Sequence, residues 1–578
     1  MFEIYKFEDF QLNKRNRALF QQGKQLHLSQ RAFEILLFLI EHQGQIVTKE
    51  FLLEKIWNDS FVEEGNLAVQ MSALRNLLGE KRGEYKYIQT VTGKGYCFVA
   101  DVEKVEVENL IQPAVKKNVS ETDLSIAVLP FWNRSEDSNI DFLAEGITES
   151  LISNLSQLPQ LKVMAYSAVS RYKGKSIDVQ ETAFILGVSK ILNGKIVKLG
   201  DTLEISVELI NANDLTQIWG EQYEFQPEDL FKLKREISHK IVDSLKLKLT
   251  KTETTKLDKQ YTSNTTAYKL YLQGRVLMND RTHPKLLKSI EYFEQSLKID
   301  PKFALAYTGI ADAYNFLGNY FFLPATEVVP KAKSAIQMAI ALDEKLSEAY
   351  SSMGFLHLYF DYEPKIIDDS LRKSLELNPN NSLAHNRYAI YYLNFSNAEK
   401  CLFHQYKALE LDPLSLGLNI GLTTRFLFLK EYATVIIQSE ETLSLYPDYP
   451  YCYYYIAFAL AMMGRFDEAK DNINKAIELT NILELLSMKG YILALSGNEK
   501  ESRNILNEIL LASQTKPIDF MDIASIYSAL NENDKAFEYL EKAREARMNH
   551  FCILNVDPRF DKLRSDPRFD EFLRKIGL

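Results

Sequence analysis

The sequence predicts a multidomain protein with three parts: an α+β module, an α/β middle domain and an all-α repeat solenoid. Three observations carry that prediction. The chain has 578 residues, about twice what one hydrophobic core organises. Its hydrophobic patterning changes texture twice, near residue 103 and again near residue 260. The last segment repeats with a period of 34 residues. The boundaries expected from these shifts are 1–103 for the first module, 104–123 for a linker and 124–250 for the middle domain. A solenoid then spans 264–550, and a capping tail spans 551–578.

Composition narrows the class further. Hydrophobic residues are 46% and charged residues 25% of the chain, which excludes wholesale disorder and collagen-like structure. The net charge of −10 argues against a chain coated in nucleic acid, yet the acidity is uneven. Residues 1–100 carry 13 Lys and Arg against 12 Asp and Glu. The cysteines at 97, 401, 452 and 552 form no CxxC pair and no disulfide ladder, as in a reducing compartment. The start, MFEIYKFEDF, lacks a signal-peptide pattern, and no run reaches the roughly 18 apolar residues that span a bilayer. A cytoplasmic protein with no membrane partner is expected.

The first module opens with two strand-like runs, FEIYKFEDFQLN and RALFQQGKQLHL. Ser29 is placed to cap a helix whose apolar stripe is Phe33, Leu36, Leu37 and Ile40, closed by Gly44. Val47-Thr48-Lys49 opens a second helix with Leu52, Leu53, Ile56 and Trp57 inward. A third runs from Asn66 to Leu78, buries Leu67, Met71, Leu74 and Leu78, and stops at Gly79. Residues 87–98 alternate around Gly93-Lys94-Gly95 as a β-hairpin.

Strands, three helices and a terminal hairpin make a winged helix-turn-helix. The motifs Leu28-Ser-x-x-x-Phe33-x-Leu-Leu, Gly44-x-x-Val47, Trp57, Leu74-Arg75-x-Leu-Leu78 and Tyr87-Ile-x-Thr-Val-x-Gly-x-Gly-Tyr96-x-Phe98 resemble the OmpR/PhoB type of transcriptional output domain. The resemblance implies a third helix in the major groove and a wing in the adjacent minor groove of double-stranded DNA. It places Asn66, Gln70, Ser72 and Arg75 of the helix and Thr90, Thr92 and Lys94 of the wing at the interface. One departure stands out: Ser72-Ala73 occupies a place where the family often has a basic pair, so fewer counterions are released on binding. The module starts at residue 2, so the phospho-acceptor receiver of phosphorelay relatives is not expected ahead of it. The arrangement resembles CadC-like regulators without their transmembrane helix.

The middle segment runs IAVLPFWNRSED, FLAEGITESLISNLSQL and ILNGKIVKLGDTLEISVELINA, short strands alternating with helices. It resembles the TolB N-terminal fold found between effector domains and repeats in bacterial regulators and cyclases. A sensor, a spacer or a dimerisation domain (hence a homodimer) are the readings left open.

In the last segment the prolines of Asn378-Pro379, Asp412-Pro413 and Tyr446-Pro447 fall 34 residues apart. Small residues recur in phase at Gly274, Ala311, Gly354, Ala389, Thr423, Ala457, Gly490 and Ala524. This pattern resembles the tetratricopeptide repeat, with eight units starting near 267, 304, 347, 382, 416, 450, 483 and 517. The first carries an insertion around Asp280–Pro284 and the second one over Phe321–Pro330. The resemblance places Ile390, Ile420, Leu427, Tyr451, Tyr454 and Phe458 on the concave groove, an apolar and aromatic surface suited to a protein or peptide partner.

No catalytic signature accompanies these modules. A Walker loop, HExxH and GxSxG are all absent from the sequence. Gly93-Lys94-Gly95 belongs to the wing turn, and Cys401 with His404 lacks a second pair for a metal. No cofactor and no enzymatic activity are expected. The expected function is a DNA-binding transcriptional regulator whose solenoid and middle domain sense a protein or peptide. The alternative is an interaction scaffold with a degenerate winged helix.

Overall fold

The computed structural model describes residues 2–14, 18–21, 24–26, 28, 30–57, 64–80, 84–91, 93–107, 124–135, 139–199, 202–226, 229–395, 397–480, 482–513 and 519–578. The chain divides into two compact units. One holds 1–115 with 178–187 and 440–447; the other holds 116–177, 188–439 and 448–578.

The first unit is built on an antiparallel sheet of β1 (Phe2–Phe7), β2 (Phe10–Asn13), β3 (Ala18–Gln21), β4 (Lys24–Leu26) and β8 (Glu103–Val107), in the order β4-β3-β2-β1-β8. Strand β8 pairs with β1 through Ile4↔Val105, so ordered structure runs into the stretch whose composition reads as linker. Residues 108–123, together with Ser29 and the Trp57 side chain, lie outside the described residues. Three helices follow the first four strands: α1 (Gln30–Glu41), α2 (Lys49–Trp57) and α3 (Glu64–Leu77). A small sheet of β5 (Val47–Thr48), β7 (Gly95–Phe98) and β6 (Ile88–Val91) closes the module.

The helical stripes meet the sheets in one core. Phe33, Leu36, Leu52, Leu67, Met71, Leu74 and Leu78 are all buried there, because residues three and four apart share a helix face. Phe7 stacks on Phe10 at 5.4 Å, and Phe98 meets Phe7 edge-on at 5.2 Å. Gly95 is required by close approach: a Cβ there would sit 1.9 Å from the Val47 carbonyl oxygen. Gly93 turns the hairpin at φ +74°, a left-handed conformation glycine adopts freely.

In the second unit, β9 (Ser125–Val128) is parallel to β11 (Lys162–Val163) and to β12 (Lys190–Leu199), and β10 (Trp132–Asn133) also pairs with β12. Strand β13 (Thr202–Asn211) returns antiparallel between β12 and β14 (Gln217–Phe225). The helix α4 (Asn139–Leu155) packs on the parallel part and on the solenoid. Tyr268 donates to Ser150 at 2.6 Å, and the Asn380 side chain donates to the Ser156 and Leu161 carbonyls. These bonds satisfy polar groups that would otherwise be buried unpaired.

Helices pair in sequence through the solenoid. Its first helices are α9 (Thr265–Met278), α11 (Ala304–Asn319), α13 (Ser347–Leu356), α15 (Ser382–Asn394), α17 (Leu416–Phe428), α19 (Pro450–Met462), α21 (Leu483–Leu495) and α23 (Phe520–Ala529). Each returns along a second helix, from α10 (His283–Ile299) to α24 (Asn533–Glu545). The in-phase small residues sit where helices touch. Ala311, Ala389, Thr423, Ala457 and Ala524 are fully buried, and a Cβ on Gly274 would lie 2.5 Å from the Phe293 ring. Much of the stretch read as an insertion, Phe321–Pro330, is helical: Ala325–Leu342 form a helix with Pro330 inside it. Pro330 is the sixth residue of that helix, past the first turn, so its missing N–H leaves the Thr326 carbonyl without its usual helical donor.

Beyond α24 the chain turns back over the concave face. Cys552 shares a core with Leu358, Tyr388 and Ile390, while Ile553 and Val556 pack beside Leu393. Asn394 donates to the Cys552 carbonyl, and Asp561 pairs with Lys430 at 2.7 Å. Asp557-Pro558-Arg559-Phe560 and Asp566-Pro567-Arg568-Phe569 repeat one motif. In each, the Asp carboxylate accepts from the Arg backbone N–H two residues on.

Candidate nucleic-acid interface

Helix α3 turns its apolar stripe inward, so its other face is presented outward. Ser72, Ala73 and Asn76 are exposed there, and Gln70 is half-buried. Asn66 lies in the first turn of the helix, its side chain outside the described residues. On the wing Lys94 is exposed at the hairpin turn and Thr90 is half-buried, while Thr92 lies outside the described residues.

Arg75 has a different geometry from the groove contact expected of it. Its Nη2 donates to the Ile88 carbonyl at 2.9 Å and to Thr90 Oγ1 at 2.7 Å. Its Nε faces Glu80 Oε2 at 3.6 Å, and its guanidinium lies 6.0 Å from the Tyr96 ring. Glu80 is buried, and its Oε1 accepts from the backbone N–H groups of Tyr87 and Ile88. The end of the third helix is thereby tied to the first residues of the wing. Arg75 and Thr90 link the third helix to the wing, and charge-assisted bonds are the strong ones.

Glu80 was not singled out from the sequence. It follows the helix-stopping Gly79 in Gly-Glu-Lys-Arg-Gly, where a carboxylate reads as solvated. Its spacing of five residues from Arg75 was the one available signal, and helix periodicity does not register it.

At the other end of the chain, the six groove residues are covered rather than open. Ile390, Leu427, Tyr454 and Phe458 are buried, while Ile420 and Tyr451 are half-buried. The Tyr451 hydroxyl donates to Glu484 at 2.7 Å. Burial raises the Tyr454 phenol well above its ordinary range, against the pull of the Arg559 guanidinium from the returning tail. An apolar surface of this extent is costly in water, and the tail covers part of it.

Comparison with known proteins adds family to geometry. Residues 23–98 match the model described as transcriptional regulatory protein, C terminal. The N-terminal module is an OmpR/PhoB-type domain. Residues 122–244 match the HilA/YgeH-like transcriptional regulator second domain, and 370–403 and 520–547 match tetratricopeptide repeats. The transcriptional regulator HilA of Salmonella typhimurium is 23% identical over 358 residues, covering 61% of each chain. A putative adenylate cyclase 3 of Rhizobium meliloti is 30% identical over 187 residues, covering 32% of each. The response regulator DrrB, a Thermotoga maritima OmpR/PhoB homolog of known structure, is 35% identical. That match covers 17% of this chain and 44% of that one, with a TM-score of 0.16. The chain thus spans between about a third and three-fifths of these two curated relatives. Among the described residues no helix is long and apolar enough to cross a membrane.

Proposed function

We propose that this chain is a transcriptional regulator that binds double-stranded DNA through its N-terminal winged helix and a protein or peptide through its solenoid. The observation that carries the reading is the OmpR/PhoB-type module with its wing fixed to its third helix by Arg75, Glu80 and Thr90. A degenerate module serving as a scaffold would have no use for that brace. Gln70 and Ser72 then face the major groove, with Lys94 at the adjacent minor groove. Arg75 and Thr90 are positioning residues. No catalytic step is part of this reading, and the cytoplasm is the compartment that suits it. A partner peptide reaching Ile390 or Tyr454 has first to displace the returning tail.

Genome-wide DNA capture with the full chain tests the proposal, followed by binding to a captured site. The wild type is expected to prefer that site over random duplex. Ser72→Ala should reduce the preference, and Arg75→Ala should weaken binding while also lowering the thermal midpoint of the module. A wild type without sequence preference at low salt overturns the reading.

A further inference from the structure

Buried and half-buried arginines in the second unit fall into two groups. Arg275 donates to Glu149 at 2.6 and 2.9 Å. Arg559 lies between Asp522 at 2.8 Å and Asp557 at 2.8 Å. Both are neutralised by the fold. Arg387 and Arg425 are not. They are 3% and 5% exposed, and among the described residues neither has a carboxylate within 4.0 Å.

Their partners are neutral. Arg387 donates to the Ser351 hydroxyl. Arg425 donates to Thr424 Oγ1 at 2.8 Å and to Asn386 Oδ1 at 3.4 Å, and its Nε is buried with no partner. Asp312 acts on Arg387 through space but takes its hydrogen bond from Ser352. Burial, with Arg281 adding to it, pulls the Arg387 guanidinium below its ordinary range.

The two side chains belong to successive first helices, α15 and α17, and converge on one place. Arg425 reaches Asn386, the neighbour of Arg387 in the chain. Both guanidinium groups act on the Tyr359 phenol, which burial holds above its usual range. Arg387 lies 4.8 Å over the Phe355 ring, which stands 4.6 Å from Tyr359. Cys552 of the returning tail feels the Arg425 charge as well. The segment that lies here, Phe551-Cys-Ile-Leu-Asn-Val556, brings no charge of its own.

An arginine cannot shed its proton to escape such a place. Two buried guanidinium groups that pair directly with no carboxylate therefore cost the fold stability. Their planar forks match an oxyanion, and hydroxyls from Ser351, Thr424 and Tyr359 surround them. Cover by an apolar segment lowers the local dielectric, which strengthens any charge pairing made inside.

We propose that Arg387 and Arg425 form a binding site for a small oxyanion, a carboxylate or a phosphate, on the concave face of the solenoid beneath residues 551–556. Such a ligand is a small-molecule input, separate from the protein partner and from DNA.

The test uses the full chain and compares sodium chloride, inorganic phosphate, succinate and a Glu-rich tetrapeptide at equal ionic strength. Thermal midpoints and titration calorimetry are read for wild type, Arg387→Gln, Arg425→Gln and the exposed control Arg465→Gln. Phosphate or succinate should raise the wild-type midpoint with saturating concentration dependence and bind once per chain. Phosphate also stabilises proteins in general, so the difference between wild type and variants is what counts. Each buried-site variant should lose affinity about tenfold or more, with the control unchanged. If a glutamine variant fails to fold, Arg425→Lys keeps the charge without the fork and should bind more weakly than wild type. Responses equal to chloride, responses kept in the variants, or binding of the tetrapeptide alone each overturn the proposal. DNA binding is unaffected in every case, so its own test stays independent.

Discussion

Arg75 at the wing and Arg425 in the solenoid are the same residue in opposite circumstances. Arg75 is half-buried and bonded on the Glu80, Ile88 and Thr90 side. Arg425 is more deeply buried, yet among the described residues it meets only hydroxyl and amide oxygens. A guanidinium that the chain itself neutralises fixes geometry, as a brace does. One that meets no carboxylate in a low-dielectric setting gains most from an oxyanion brought to it. Sequence position does not separate the two cases; the surrounding carboxylates do.

The largest effect expected from that distinction is at Arg559. Removing its guanidinium breaks two buried ion pairs at once, to Asp522 and to Asp557, and takes the Arg559 charge away from the fully buried Asp557 carboxylate. Arg559→Ala should therefore cost about 3–5 kcal/mol, read as a lower urea midpoint of the full chain. Arg425→Met, measured without added oxyanion, should cost far less or stabilise, because it removes a buried cation that meets no carboxylate within 4.0 Å among the described residues. Equal losses at the two sites would erase the contrast.

How far the sequence carried this reading differs between the regions for physical reasons. The repeat and the winged helix announce themselves because helix faces impose a period, as Leu67, Met71, Leu74 and Leu78 do on α3. Small residues at contacts such as Gly274 and Ala457 are legible on the same ground. Glu80, Arg387 and Arg425 follow no apolar stripe, since their meaning lies in the polar partners that the fold brings to them. The groove residues show the limit from another side. Spacing places Tyr454 and Phe458 on the concave face, but only the folded chain shows Arg559 and the tail beside that face.

A carboxylate tests the same principle with the opposite sign. Asp412 is buried, accepts from the Ser167 hydroxyl, and burial pushes its carboxyl up to about 7. Its folded value thus lies above the ordinary carboxylate range near 3.8. Between about pH 4 and 7 the folded chain keeps a proton that the unfolded chain loses. Stability contributed by this site therefore falls as pH rises through that window, and the full cost is present above it. Asp412→Asn should remove the slope and be more stable than wild type at pH 8, by roughly 1–3 kcal/mol. Urea midpoints at pH 5, 6 and 8 for both proteins measure it; parallel profiles would assign the slope elsewhere.

The smallest expected effect returns to the wing and to the DNA contact proposed for it. Lys94 stands exposed at the wing turn, beyond the brace that Arg75 and Glu80 make. Unlike Arg75, its cation is held by no carboxylate within 4.0 Å among the described residues, and unlike Arg425 it stays in water, so its charge costs the fold nothing. If it meets a phosphate, Lys94→Ala should leave the melting temperature alone and weaken all DNA sequences alike. The slope of log affinity against log salt should fall by about 0.9, the counterion share of one phosphate on duplex DNA. Arg75→Ala, by contrast, should lower the module's melting temperature and lose sequence preference, since the helix and wing no longer keep one angle. A Lys94→Ala protein that keeps its salt slope would take the wing out of the interface, and the third helix alone would then have to carry recognition.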